Sequence, residues 1–219
     1  MSDLGKLLRK EFRLAATPLT YFFMAGSLFV LIPNYPALVG AFFVCLGVFY
    51  SFQTARESND VLFTALLPVP KRDFVRAKFA FVTVIQLLAF AAFALLSILR
   101  TALLSHAEPY ASGALMRPNL ALLGYVLLVY ALFDAVFLLG FFRTAYAIGK
   151  PFLLYAILTF VFVAVTEVLH HLPGLGFLNA PGEGLPGRAA VFGVSLLVYL
   201  AVLFLTWKKS EERFEKIDL

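Results

Sequence analysis

An all-α integral membrane protein of six transmembrane helices, with both termini cytoplasmic, is the fold class the sequence predicts. Three observations predict it. The 219 residues are 62% apolar and only 14% charged, with a mean hydropathy of +0.90, whereas soluble domains carry about 25% charge. Apolar windows recur at 18–32, 36–52, 79–99, 120–142, 152–169 and 189–207; the first two are short, and the others are near the length that a helix needs to cross hydrocarbon. Finally, fifteen of the eighteen Lys and Arg fall on one side of the six-span topology, leaving Arg100, Arg117 and Arg188 on the other. The positive-inside rule makes the cation-rich side the cytoplasm. The same rule accounts for the net charge of +5 through orientation against anionic lipid, so nucleic acid is not a predicted partner.

The chain reads as a single transmembrane domain, 1–219. Residues 1–16 alternate Leu4, Leu7, Leu8 and Phe12 with Lys6, Arg9, Lys10 and Arg13 at helical spacing, the pattern of an interfacial amphipathic helix. No A-x-A-like site follows Ile32 and another apolar run begins at once, so this start reads as retained and not as a secretory leader. The first two spans are joined by Pro33-Asn34-Tyr35-Pro36, a tight hairpin. Pro18, Pro36 and Pro151 suit the first turn of a helix, where a missing N–H costs nothing. Ala37, Gly40, Val44, Gly47 and Ser51 line one face of the second span, so another helix packs closely there, either the first span or a second subunit.

Between the second and third spans the chain reads ESNDVLFTALLPVPKRDFVRAKF, Glu57 to Phe79. Ser58, Asn59 and Asp60 are good N-cap residues, and Val61–Leu67 is almost wholly apolar. Pro68 and Pro70 stop the helix, because proline disfavours helical geometry at the residue before it. A short cytoplasmic helix at 57–67 follows, showing Asp60, Val61, Leu62, Phe63, Leu66 and Leu67. It either joins two spans along the interface or docks a partner. Lys71, Arg72, Arg76 and Lys78 come next and are expected at the membrane surface, reaching toward lipid headgroups. The last segment, 208–219, is a charged cytoplasmic tail.

The run TALLPVPKRDFVRAKF, with the basic N-terminal helix, six spans, small outer loops and charged tail, resembles permease subunits of type-2 ABC exporters. In size and pattern it is similar to the small six-span permeases of phenol-soluble modulin and antimicrobial-peptide exporters. Some of those carry serine where Pro70 stands. The resemblance implies that 57–67 is a coupling helix seated on a separate ABC-type ATP-binding subunit, which would hold ATP and Mg, with no cofactor on this chain. It also implies a second permease copy or close homologue, a bacterial-type plasma (inner) membrane, and export of an amphipathic peptide, lipid or drug. A non-transporting scaffold or sensor that holds a cytoplasmic partner by the same helix is the alternative.

Catalytic motifs are missing. Gly149-Lys150-Pro151 lacks the glycine loop and hydroxyl of a phosphate-binding loop, and neither H-E-x-x-H nor G-x-S-x-G occurs. The chain therefore reads as no enzyme, with no catalytic residue and no metal site. Glu167 and His171 share a helix face, with His170 nearby, but one helix rarely supplies a whole metal site, and hydrogen bonding at headgroup level is the expected role. Asp134 lies within a span, where a carboxylate costs a few kcal/mol. It is either a polar point on a translocation path or moving interface, or a buried helix-to-helix hydrogen bond. Tyr130, one turn away, is its candidate partner. The outer loop His170–Arg188, rich in glycine and proline, either dips into the interface or lies on the surface.

Overall fold

The computed structural model describes residues 3–111, 114–180 and 184–217; parts of the predicted outer loops, the first two residues of the interfacial segment and the last two of the tail lie outside these. Among the described residues every regular element is helical. Five helices are long and apolar enough to cross a membrane: α3 (Leu38–Glu57), α5 (Lys71–Leu104), α6 (Leu120–Phe141), α7 (Gly149–Leu169) and α8 (Leu185–Glu215). The sixth span comes from a bent pair. α1 (Asp3–Lys10) runs through a π turn to Ala15, and α2 (Pro18–Phe22) leaves at 90° and continues as a 3-10 helix, Phe23–Leu31.

Sequence explains that bend. Thr17 is extended and caps α2 by accepting from the Thr20 amide, with Pro18 in the first turn. The 3-10 stretch gains length, because it rises about 2.0 Å per residue against about 1.5 Å in an α-helix. Fourteen residues, Pro18–Leu31, thereby reach roughly 26 Å, close to the thickness of the hydrocarbon core.

The centre of the bundle is α3 and α6, with 67% and 72% of their apolar windows buried, against 17% for α8. This ranking separates inner helices from those whose Leu, Val and Phe face outward. The small face of α3 takes the first span as its partner. Gly40 and Gly26 meet backbone to backbone, and a Cβ on either would overlap the other's carbonyl; Gly47 packs on Phe23 and the Thr20 carbonyl. Gly124 of α6 does the same for Ser195 of α8. Phenylalanines fill the remaining space, as in the contacts of Phe52 with Phe137 and Phe141.

The helix of the third span starts with its cations at Lys71 and runs unbroken to Leu104. Two predicted boundaries move: the short helix expected at 57–67 is Asp60–Ala65, with Glu57 ending α3, and the sixth span continues through the predicted tail to Glu215. The physical reason for the second is that WKKSEERFE holds no helix breaker and places Glu211 and Glu215 one turn apart. Both face the start of α5. Glu215 binds Arg72 at 2.5 and 2.9 Å, Glu211 binds Arg76 at 2.8 Å, the Ile217 carbonyl accepts from Lys71 at 2.6 Å, and Phe214 stacks on Phe74.

Candidate functional site

At the cation-rich end of the bundle sits α4, Asp60–Ala65. Six residues make too few hydrogen bonds to form a helix alone, so tertiary contacts must hold it. Ser58 closes α3 by donating to the Thr54 carbonyl at 2.9 Å. Asn59 then adopts φ 52, a left-handed conformation that asparagine tolerates better than most residues. It occupies the N-cap position without a side-chain capping bond, so the capping expected from 58–60 is replaced by this turn. At the other end Pro70 is extended and starts α5.

Two sides of α4 have opposite chemistry. Inward, Asp60 receives Lys10 Nζ at 2.6 Å and Lys78 Nζ at 3.4 Å. Lys10 also donates to Thr64 Oγ1 at 2.9 Å, and Thr64 Oγ1 in turn donates to the Asp60 carbonyl at 2.7 Å. Lys78 reaches Glu11 Oε2 at 2.5 Å, and Lys10 lies 3.4 Å from Glu11 Oε1. The cluster is therefore two cations and two carboxylates, from α1, the π turn after it, α4 and α5. Phe74 and Phe52 cover it, with Lys78 Nζ 5.6 and 5.3 Å from their ring centroids. Burial pushes the Asp60 carboxyl up, but Lys78 and Lys10 beside it outweigh that and hold its pKa below the ordinary carboxylate range. Val61 is also turned inward.

Outward, Leu62, Phe63, Leu66 and Leu67 are exposed, Leu66 to 80%. Tyr146, on the α6–α7 turn, is exposed beside them, with the Arg56 guanidinium over its ring at 5.4 Å. Covering one such side chain is worth about 1.5–3 kcal/mol, so this small helix presents an unusually adhesive face.

Of the six residues expected to dock a partner, four thus lie on an open face, whereas Asp60 and Val61 face the bundle. Lys78 corrects another expectation. It is 1% exposed and does not reach a membrane surface, because Glu11 and Asp60 offer it a buried counter-charge that lipid would otherwise supply. Lys71, Arg72 and Arg76 are engaged by the end of α8, with Arg72 and Arg76 still half-exposed. Sequence reading missed Lys10 and Glu11 as parts of the site. Their signal was faint: Glu11 is the one acid between Lys6 and Arg13.

Asp134 is buried inside the bundle on a π-helical turn of α6, Phe133–Leu138. Its Oδ1 accepts from Gln86 Nε2 at 2.9 Å, and Gln86 Oε1 accepts from the Tyr199 hydroxyl at 2.9 Å. One carboxyl thereby links α5, α6 and α8. Tyr130 is not the partner; its hydroxyl makes no hydrogen bond among the described residues. The π turn explains the miss, since it breaks the 3.6-residue spacing on which the expected pairing rested.

At the opposite end, Glu167 Oε2 accepts from the Met116 amide at 3.0 Å and His170 Nε2 lies 3.2 Å from the Ala114 carbonyl. These groups fasten one outer loop to another, and no three potential metal ligands gather among the described residues. The described part of the outer loop, 170–180, folds back on the bundle, with Leu178 buried and Asn179 accepting from the Arg117 amide at 2.6 Å.

The model of the ABC-2 family transporter proteins matches residues 6–213. The chain belongs to this family. It is a multi-pass membrane protein and a type-2 ABC permease, the transport subunit of an ABC transporter and not its catalytic part; transporters of this class work with an ATP-binding partner. No curated protein and no solved structure gives a match. For an ABC-2 permease the two faces of α4 are the feature from which function is best argued.

Proposed function

We propose that this permease exports an amphipathic substrate, and that α4 docks on a cytoplasmic ATP-binding subunit which carries ATP and Mg. The observation that carries the reading is the split character of α4: an open apolar face of Leu62, Phe63, Leu66 and Leu67 over an inner face tied by ions to α1 and α5. A helix that only joined two spans would need no such anchorage. Closure of an ATPase pair would press on the outer face, and the Lys10–Asp60–Lys78–Glu11 cluster would carry that push into α1 and α5 as a rigid-body movement. A second permease copy completes the proposed assembly, with its partner surface among the outward faces of α5, α7 and α8. The cation-rich end faces the cytoplasm of a bacterial-type inner membrane. Asp134 belongs, in this reading, to the three-helix joint that keeps α5, α6 and α8 moving together.

The test is co-purification from the native membrane. The unsubstituted chain should bring down a stoichiometric ATP-binding subunit. Leu62→Asp, Phe63→Asp and Leu66→Asp together should weaken that association by roughly 100-fold or more, since three apolar contacts are lost, without changing membrane insertion. Undiminished association would remove the docking role. A partner without nucleotide-binding activity would favour a scaffold or sensor instead.

A further inference from the structure

Beside the open face of α4 lies a cavity of about 220 Å³, walled by the end of α3, the start of α4 and the α6–α7 turn. Leu62 and Tyr146 line it and are exposed, so it is continuous with the apolar face already described. Arg56, Asn59 and Thr144 bring polar groups to its wall, and no Asp or Glu is among the described residues that line it. Lys10, Lys78, Arg72 and Arg76 all meet carboxylates at this end of the bundle. Among the described residues Arg56 instead has the Tyr146 ring, at 5.4 Å. The acids nearest to it in sequence are engaged elsewhere: Glu57 accepts from Gln53 at 3.0 Å, and Asp60 is held by Lys10 and Lys78. Arg143, exposed at the start of the α6–α7 turn, adds a further cation.

All three polar groups have hydrogens to give. A guanidinium carries five N–H donors, and the Asn59 side chain makes no capping bond. Thr144 Oγ1 accepts from the Ala147 amide at 2.9 Å and the Tyr146 amide at 3.4 Å, which leaves its O–H to donate. The two turns that border the cavity are also strained. Asn59 and Ala145 have φ of 52 and 55, the left-handed region that alanine rarely adopts. Ala145 is buried and its amide donates to the Phe141 carbonyl at 2.8 Å, which fixes the turn that carries Tyr146. Strain of this kind persists where the surroundings impose it, and it gathers at sites that meet a ligand or partner.

We infer that this cavity receives an Asp or Glu side chain of the ATP-binding subunit, its carboxylate bound by Arg56, Asn59 and Thr144 and its stem against Leu62 and Tyr146. Converging donors without an acid among them select an acceptor of negative charge, and a planar guanidinium holds a carboxylate through a fork. The α6–α7 turn thereby becomes a second contact beside α4. The inference rests on the docking role proposed for α4 and names the chemistry that its partner brings.

Binding of the co-purified ATP-binding subunit to the full chain in phosphatidylcholine nanodiscs, from about 50 to about 500 mM salt, tests it. Arg56→Gln should weaken binding about 10-fold and flatten its salt dependence. Asn59→Gly keeps the left-handed turn and should weaken binding about 5-fold. Neither change removes a side-chain hydrogen bond found among the described residues, so both variants should fold. Arg56→Glu should cost about 100-fold, and reversing the charge of one acid on the ATP-binding subunit should recover most of it. Unchanged affinity in Arg56→Gln overturns the inference; release of the subunit by the Leu62, Phe63 and Leu66 substitutions would then leave the docking role of α4 standing. Retention of the subunit by that triple variant would instead remove the docking role, and the inference with it. A loss in Arg56→Gln that is the same at all salt concentrations would mean lost packing on Tyr146, and overturns the carboxylate assignment. A loss seen only with phosphatidylglycerol in the nanodiscs would assign the cavity to a lipid headgroup, and overturns it as well.

Discussion

Lys78→Met is the sharpest probe of the ion cluster. It removes a cation that is 1% exposed from a carboxylate, Glu11, that is fully buried. The four charges sum to zero before the change and to one uncompensated negative charge after it, with Lys10 left to serve both Glu11 at 3.4 Å and Asp60 at 2.6 Å. Removing one partner of a buried pair costs about 3–5 kcal/mol, whereas replacing both by apolar residues is close to neutral. Because both groups are buried, no discount for solvent screening applies. Lys78→Met should therefore destabilise by about 3–5 kcal/mol, and Lys78→Met with Glu11→Leu by less than about 1 kcal/mol. Reversible unfolding in mixed micelles, followed through the single tryptophan, Trp207, measures both. A single variant costing under about 1 kcal/mol, or a double variant as damaged as the single, would refute the claim that charge compensation holds α4 in place.

Four further outcomes are expected. Asp134→Asn keeps the shape and the acceptor for Gln86 and should leave assembly intact, while Gln86→Leu strips the Asp134 carboxyl of its described partner and should cost about 1–3 kcal/mol in the same unfolding assay. Gly40→Ala drives a Cβ into the Gly26 carbonyl and should cost about 1–3 kcal/mol, with a visible loss of folded yield. The Asp60 carboxyl has a folded pKa below its ordinary value near 3.9, so its contribution is full above that value and is lost as pH falls through the lower folded pKa. Protection from hydrogen exchange at residues 60–67, taken relative to the intrinsic rate at each pH, should thus hold from pH 7 to about 5 and fall only below about 4. Arg76→Gln leaves Glu211 with Trp207 Nε1 as its remaining partner, at 2.8 Å; this half-exposed pair should cost less than about 1 kcal/mol.

The spans were legible because they follow from a quantity that adds along the chain, apolar length. The turn at 58–60 and the stop at Pro68–Pro70 were legible too, since they are local. What sequence did not yield is pairing across long separations. Lys78 reads as a headgroup cation until α1 folds beneath α5 and brings Glu11 to it. Gln86, in the middle of an apolar span, gave no sign of being the partner of Asp134, because the π turn in α6 has no composition of its own. The continuous α8 was hidden by charge, as a run of Lys, Glu and Arg reads equally as a free tail or as a helix whose acids have found arginines.

The anchorage of α4 also imposes an order on biosynthesis. Lys10 and Asp60 lie fifty residues apart in the chain, so at about 5–20 residues per second Lys10 is made some 3–10 seconds before its carboxylate exists. During that interval α1 must wait at the water interface, with its charges hydrated, while the α2–α3 hairpin enters the bilayer. Only when α5 begins does Lys78 arrive to seal Glu11 away from water. Closure of the cluster is thus a late event in the making of the first three spans, and it marks the moment at which they become a single unit.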